Sequence, residues 1–210
     1  MNKTKISITI ISAVAAILLG ALVFHLVSFR TLSIQTGQAD FTADIYKADD
    51  INRQRKIANS KEEAEVKLQD GDYIAIASND KFSKDPLAFT VTKDTKRVTL
   101  QPSFSSATLS IMLSNESATL KKVLVDTYPQ LSKGYKIGLG KLYKMGEWYA
   151  TTLTVIPEDR REDGDIYRVV MQKENATWRI VKTPEFVLTT SEYPMVPKEI
   201  LQEVNKLTLE

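Results

Sequence analysis

The chain has no cysteine and a single histidine, His25, among its 210 residues. The first absence excludes disulfides, thiol nucleophiles, cysteine-ligated zinc and iron–sulfur clusters. The second leaves everything beyond residue 25 without a Ser-His-Asp triad, a Cys-His pair or a histidine-ligated metal. Charge of one sign is also missing. The formal net charge is +2, and setting aside Lys3, Lys5 and Arg30 takes the 28 basic residues to 25 against 26 acidic, a net of about −1. Such a balance gives no basic footprint for nucleic acid and no acidic field for a polycation.

What is present first is a long apolar run. Ile6 to Phe29 carries no Asp, Glu, Lys or Arg. As a helix its 24 residues would reach roughly 36 Å, against about 30 Å of bilayer hydrocarbon. Lys3 and Lys5 precede the run, while Asp40 and Asp44 lie between Arg30 and the next basic residue, Lys47. The positive-inside rule then keeps the amino terminus in the cytoplasm and exports residues 31–210. A cleavable signal peptide is the rival reading. Gly37-Gln38-Ala39 offers small residues for cleavage but lies well past the apolar run, which is itself longer than a signal-peptide core. His25 sits about five residues from the outer end of the span, where a neutral imidazole reaches the interface. Ser12, Ala16 and Gly20 recur every four residues, a spacing that permits weak helix dimerisation. An exported domain without cysteine suits a bacterial envelope, so the sequons at Asn2, Asn115 and Asn175 read as chance matches.

After the anchor (1–30) the pattern divides the chain into residues 31–106 and 107–210. Leu32-Ser33-Ile34 alternates as a strand, and residues 35–44 are polar. The charged stretch 48–67 reads as a solvated loop or surface helix inserted into the first module. Period-two strands follow at Val66–Leu68, Tyr73–Ala77, Leu87–Thr92 and Arg97–Leu100, with Asp70-Gly71-Asp72 as a turn. The run Glu65-Val66-Lys67-Leu68-Gln69-Asp70-Gly71-Asp72-Tyr73-Ile74-Ala75-Ile76, with Phe89-Thr90-Val91 and Val98-Thr99-Leu100, resembles the second half of a PEGA domain. That is a small transthyretin-like β-sandwich of bacterial surface proteins. The resemblance covers 32–102; the Pro-Glu-Gly-Ala tetrapeptide is absent and the charged stretch interrupts the first half. It implies an interaction or spacer module without catalytic residues.

Residues 101–106, with Pro102 and three serines, read as a linker, and Ala107–Leu113 as a short strand. Leu120, Val123, Leu124, Tyr128 and Leu131 then fall at helical spacing, with Ser117 as cap and Pro129 as terminator. Strands are predicted over Tyr135–Tyr143, Trp148–Ile156, Ile166–Gln172 and Thr177–Val181, and a terminal helix over 197–207. Helix followed by four curved antiparallel strands resembles the cystatin-like or nuclear-transport-factor-2-like α+β architecture over 115–190, with Trp148-Tyr149 and Trp178 as its distinctive aromatics. Such folds host enzymes, ligand cups and docking modules alike. The fold class expected is therefore a single transmembrane helix, a small β-sandwich and an α+β module.

The acidic run Glu158, Asp159, Glu162, Asp163 and Asp165 around Gly164 lacks calcium-loop spacing and includes Arg160 and Arg161, so it reads as a solvated hairpin tip. No pair of carboxylates stands out for glycoside hydrolysis. Tyr143, Trp148, Tyr149, Tyr167 and Trp178 are the candidate ligand-binding residues, lining a concave sheet face for an apolar ligand or sugar ring, with packed core as the competing reading. No catalytic residue, metal site or cofactor is expected. The function expected is a membrane-anchored, non-enzymatic interaction or scaffold protein with an envelope protein partner. The alternatives are an assembly component of a secretion or pilus-like machine, and an envelope enzyme or ligand-binding protein using the aromatic cup.

Overall fold

The computed structural model describes residues 29–61, 65–156 and 164–207. The chain is mainly antiparallel β-sheet with a few helices, and among the described residues no helix is long and apolar enough to cross a membrane. The predicted span lies outside the described residues apart from Phe29, which begins a strand instead. Ser12, Ala16, Gly20 and His25 also lie outside them. Two compact units form. The first holds the described residues up to Asn79 with Lys84–Gln101, the second Asp80–Ser83 and the described residues from Pro102 onward.

The first unit has two sheets. Strands β1 (Phe29–Gln35), β4 (Glu65–Gln69) and β7 (Arg97–Thr99) make one, in the order β4-β1-β7, with β7 parallel to β1. Strands β2 (Thr42–Lys47), β3 (Ala58–Lys61), β5 (Gly71–Ala77) and β6 (Leu87–Val91) make the other, in the order β3-β2-β5-β6. Alternate residues are buried along most strands, Leu32, Ile34, Val66, Leu68 and Val98 in one sheet and Ala43, Ile45, Tyr73, Ala75 and Val91 in the other, while β5 ends in the unbroken buried run Ala75-Ile76-Ala77. That alternation is the signature of sheets with one apolar and one wet face.

Two expectations need correction here. The charged stretch 48–67 is the solvated loop expected as far as Ile57, where Asp50 organises it by accepting from the N–H groups of Gln54 and Arg55 at 3.2 and 2.8 Å; beyond that its described residues hold β3 and the start of β4 in place of loop or helix. The polar segment also hides β2. Its Asp44 occupies the outer face, where the Asn59 amide donates to it at 2.8 Å and Lys56 lies 3.3 Å away. The expected Asp70-Gly71-Asp72 turn joins β4 and β5, strands of different sheets, and Gly71 makes that corner with φ +146°.

In the second unit helix α1 spans Ser106–Thr127, capped by the Ser105 hydroxyl, which accepts from the Thr108 N–H at 3.3 Å. The helix thus starts eleven residues before Ser117 and absorbs the segment 107–113 expected as a strand. Leu109 and Leu113 extend the apolar spacing of Leu120 and Leu124 along one face, which overrides any alternation in so short a window. It ends ahead of Pro129. A short helix, α2 (Leu131–Gly134), leads into the sheet. β10 (Trp148–Val155) is its central strand, flanked on one side by β11 (Ile166–Glu174) and then β12 (Thr177–Ile180). On β10's other side lie β8 (Tyr135–Ile137) and β9 (Lys141–Tyr143), two separate strands where one was expected. The β11–β12 hairpin turns at Asn175 and Ala176, both with positive φ (47° and 63°), the geometry that matches strand twist.

β10 is buried along both faces. Tyr149 and Leu153 pack with Leu120 and Leu124 of α1. Trp148 and Ala150 pack with Ile200, Leu201 and Val204 of the terminal helix α3 (Lys198–Val204). Arg168 on β11 secures α3: its guanidinium donates to the carbonyls of Val204 and Leu207, each at 3.2 Å, and to that of Phe186. A cation on the last carbonyls of a helix satisfies otherwise orphaned acceptors.

Candidate functional site

The five aromatics proposed as a cup do not share a face. Adjacent strand residues point to opposite sides of a sheet, so Tyr149 and Trp178 enter the α1 cluster while Trp148 enters the α3 cluster, with Tyr143 packed against it. Tyr149 and Trp178 meet edge to face at 6.4 Å. The Trp178 indole N–H donates to the Glu116 carboxylate, which also receives the Lys173 ammonium at 2.6 Å. Tyr167 lies at the rim and stacks on the half-exposed Phe186 at 4.4 Å. Packed core therefore occupies the place of the cup. Of the acidic run, Gly164 and Asp165 alone are described; among the described residues no group of three or more potential ligands is placed to hold a metal.

The larger concave features lie along the outer edge of β8 and β9, and of the five aromatics Tyr149 alone lines them. One groove of about 650 Å³ runs between Ser117, Lys121 and Val125 of α1 and the segment Tyr135–Leu139. A second, of about 360 Å³, runs between Ser106, Leu109, Ser110 and Leu113 of α1 and Leu139–Leu142. Both include Leu139 and both lie along a single face of the helix; the two neighbouring grooves together are the trough. Ser106 to Val125 spans roughly 28 Å at about 1.5 Å per residue.

The trough has a defined origin in the backbone. Between β8 and β9 the chain breaks at Gly138-Leu139-Gly140. At Gly140 (φ +73°) a Cβ would lie 2.5 Å from the Ala150 carbonyl oxygen and 2.6 Å from the Tyr149 hydroxyl, so no other residue fits without displacement. The Tyr149 and Thr151 hydroxyls pin the break, donating to the carbonyls of Leu139 (3.2 Å) and Gly138 (2.7 Å). Leu139 is left 68% exposed at the middle of the trough. The floor is apolar, with Leu131 and Leu142 buried in the core beneath. Its charged lining consists of Lys121, Lys136 and Lys141, with no carboxylate among the lining residues.

A smaller recess of about 200 Å³ adjoins the trough at Leu131 and Tyr135. Tyr128, Tyr135 and Tyr167 surround it, with Gln130, Thr183 and Pro184 completing an uncharged lining. Burial raises the Tyr128 phenol above its ordinary value. Of the five aromatics chosen from sequence, Tyr167 alone lines this recess. Lys121, Lys136 and Leu139 carried no motif; the signal available for the trough was the pair of glycines inside a strand pattern, a mark of close backbone approach.

Comparison of the chain with protein-family models, with curated proteins and with solved structures finds no match in any of the three.

Proposed function

We propose that this chain is a membrane-anchored, extracytoplasmic interaction protein whose second unit docks a partner along the α1–β8/β9 trough. The observation that carries this reading is the trough itself: a sheet edge that no described strand covers, beside an apolar floor, with an exposed leucine at its centre. Sheet edges left without a partner strand are sites of association. The sandwich, PEGA-like in this reading, serves as the spacer, and the α+β unit as the docking module of cystatin-like type.

The anchor reading draws support from β1. It is the central strand of its sheet, with Leu32 and Ile34 almost wholly buried. Cleavage near Gly37-Gln38-Ala39 would remove that strand and split β4 from β7, so the function proposed keeps the apolar segment attached. Ile6 to Ser28 still supplies 23 residues without Asp, Glu, Lys or Arg ahead of β1, against about 20 needed to span a bilayer. An assembly role in an envelope machine is the more specific form of the same reading.

The test is in-cell photocrosslinking of the full-length protein with a reactive group at Leu139, compared with one at Ile51, which is 89% exposed in the first unit. A discrete partner captured from Leu139 and not from Ile51 is expected. Capture from Ile51 alone would move docking to the sandwich and overturn the assignment to the trough. A second reading, binding of a small neutral ligand, is favoured by the three tyrosines of the recess. It predicts tyrosine fluorescence changes with neutral saccharides that Tyr128→Ala removes.

A further inference from the structure

We infer that the first unit rests on the bilayer that holds the apolar segment, with the loop 48–57 seated among the lipid headgroups and Ile51 reaching the acyl chains. This contact rests on the membrane anchor proposed above and adds the surface on which the unit lies.

The strand register supplies the first part. Ile6 to Ser28 runs into Phe29, the first residue of β1, with no linker between them. Phe29 pairs with Gln69 at the end of β4, and the chain turns at Asp70 into Gly71, which opens β5. On β5, Tyr73 pairs with Lys47, the last residue of β2, and the Asp72 carbonyl accepts from the Ala48 N–H at 3.0 Å. The loop 48–57 therefore leaves β2 at the same end of the unit as Phe29. With the apolar segment in the membrane, that end faces the bilayer.

Exposure supplies the second part. Besides Phe29, the large hydrophobics exposed in the described part of the first unit are Ile51 (89%) and Ile57 (38%), both on this loop. Apolar residues scattered singly over a surface are ordinary; these are confined to the end next to the apolar segment. The far end exposes Gly37, Ala39 and Asp40 instead. Ile51 stands at the tip of a turn closed by the Arg53 N–H on the Asp50 carbonyl at 3.0 Å. Arg53 takes φ +53° to make that turn, a conformation uncommon outside glycine.

The charges suit a phospholipid surface better than a strongly charged protein. Lys56 is held by Asp44, Arg30 by Asp70, and Lys47 lies over the Tyr73 ring. The Thr90 hydroxyl donates to Asp72, and Asp50 is occupied by the Gln54 and Arg55 N–H groups. Arg53 and Arg55 remain, both exposed and without an ion pair among the described residues, with exposed Asp49 on the same loop. The net field is small, so apolar insertion leads and the guanidiniums take lipid phosphates.

The test uses the full-length protein in phosphatidylcholine nanodiscs. Because the chain has no cysteine, Asn52→Cys places a single environment-sensitive fluorophore beside Ile51, and Ala39→Cys places one at the far end. Lipids brominated near the headgroup end of their acyl chains should quench the label at 52 by at least about half and leave that at 39 unchanged. A flexible insert of about ten Gly/Ser residues between Ser28 and Phe29, reaching roughly 17 Å, separates docking from mere tethering. Quenching at 52 should persist with the insert and fall at least about twofold when Ile51→Asp or Arg53→Glu/Arg55→Glu is added. Loss of quenching on insertion alone overturns the inference, since the tether then does the holding. So does a label at 52 that is blue-shifted yet unquenched, which marks a protein contact at the loop. In both cases entry into the nanodisc leaves the anchor reading standing; a protein that never enters takes both readings with it.

Discussion

The two units solve the burial of a β-sheet differently. In the first, the strands largely alternate buried and exposed residues, as β4 does through Glu65, Val66, Lys67 and Leu68, and the end of β5, Ala75-Ile76-Ala77, is the exception. In the second, one sheet is covered by α1 on one side and α3 on the other, and β10 has no wet face along most of its length. A covered sheet has its remaining backbone polarity at its edges, which among the described strands are β8 and β9 on one side and β12 on the other. Substitutions at neighbouring positions break this contrast most sharply. In β4, Leu68→Asp should cost more than about 4 kcal/mol by burying an unpaired charge, whereas Lys67→Asp should stay within about 0.5 kcal/mol. In β11, Val169→Asp and Val170→Asp should both be as damaging as Leu68→Asp, because these adjacent residues are each at most 1% exposed. Urea unfolding of the four variants measures this directly, and a tolerated Val170→Asp would deny the second covering layer.

That contrast also explains what could be read in advance. One-sided strands announce themselves by alternation, and β1, β4, β5, β6 and β7 fall where the pattern put them. β2 and β3 escaped because Asp44, Asn59 and the lysines around them put polar chemistry on the outer face and left only Ala43, Ile45 and Ser60 as inward residues. In the second unit the uniform run Trp148–Ile156 gave a strand but no faces, and five aromatics were assigned to one side when the pleat divides them. The trough was hidden for another reason. Its lysines come from α1, β8 and β9, and only the pairing of β8 with β10 brings them beside one floor.

Arginines sharpen the comparison at the next size of effect. Arg168 is half-buried and holds three carbonyls around the end of α3, so Arg168→Ala should cost about 2–3 kcal/mol through orphaned acceptors. Arg30 in the first unit pairs with Asp70 at 3.3 Å in the open, and Arg30→Ala should cost less than about 1 kcal/mol. Equal losses in thermal unfolding would mean that α3 does not depend on Arg168.

Acid titration reaches both units through separate carboxylates. The Asn59 amide beside Asp44, aided by Lys56, holds that carboxyl below its ordinary value. The Lys144 ammonium does the same for Glu199. A carboxylate depressed in the folded state stabilises above its unfolded value and loses that contribution as pH falls through the folded one. The wild-type melting temperature should therefore decline below about pH 4.5. Asp44→Asn should flatten the part of that decline due to the sandwich, and Glu199→Gln the part due to the second unit. A decline unchanged in both variants would place acid sensitivity in other groups.

The smallest effect concerns two buried phenols. Tyr73 in the first unit donates to the Gln69 carbonyl at 3.0 Å. Tyr143 in the second has a buried hydroxyl with no hydrogen-bond partner among the described residues, and burial, with the nearby Glu203 charge, pushes its pKa up to about 12. An unsatisfied buried hydroxyl is a cost that removal recovers, whereas a satisfied one leaves its acceptor stranded. Tyr73→Phe should therefore lose about 1 kcal/mol, while Tyr143→Phe should be neutral or gain up to about 1 kcal/mol. The alkaline limb gives an independent reading of the same atom. A phenol whose folded pKa is raised keeps its contribution below the unfolded value near 10 and loses it as pH rises toward the folded one. Between about pH 10 and 12 the wild type should lose stability that Tyr143→Phe retains. A destabilised Tyr143→Phe with an unchanged alkaline limb would mean that the hydroxyl has a partner in solution, and that the α3 face of the sheet is wetter than its packing implies.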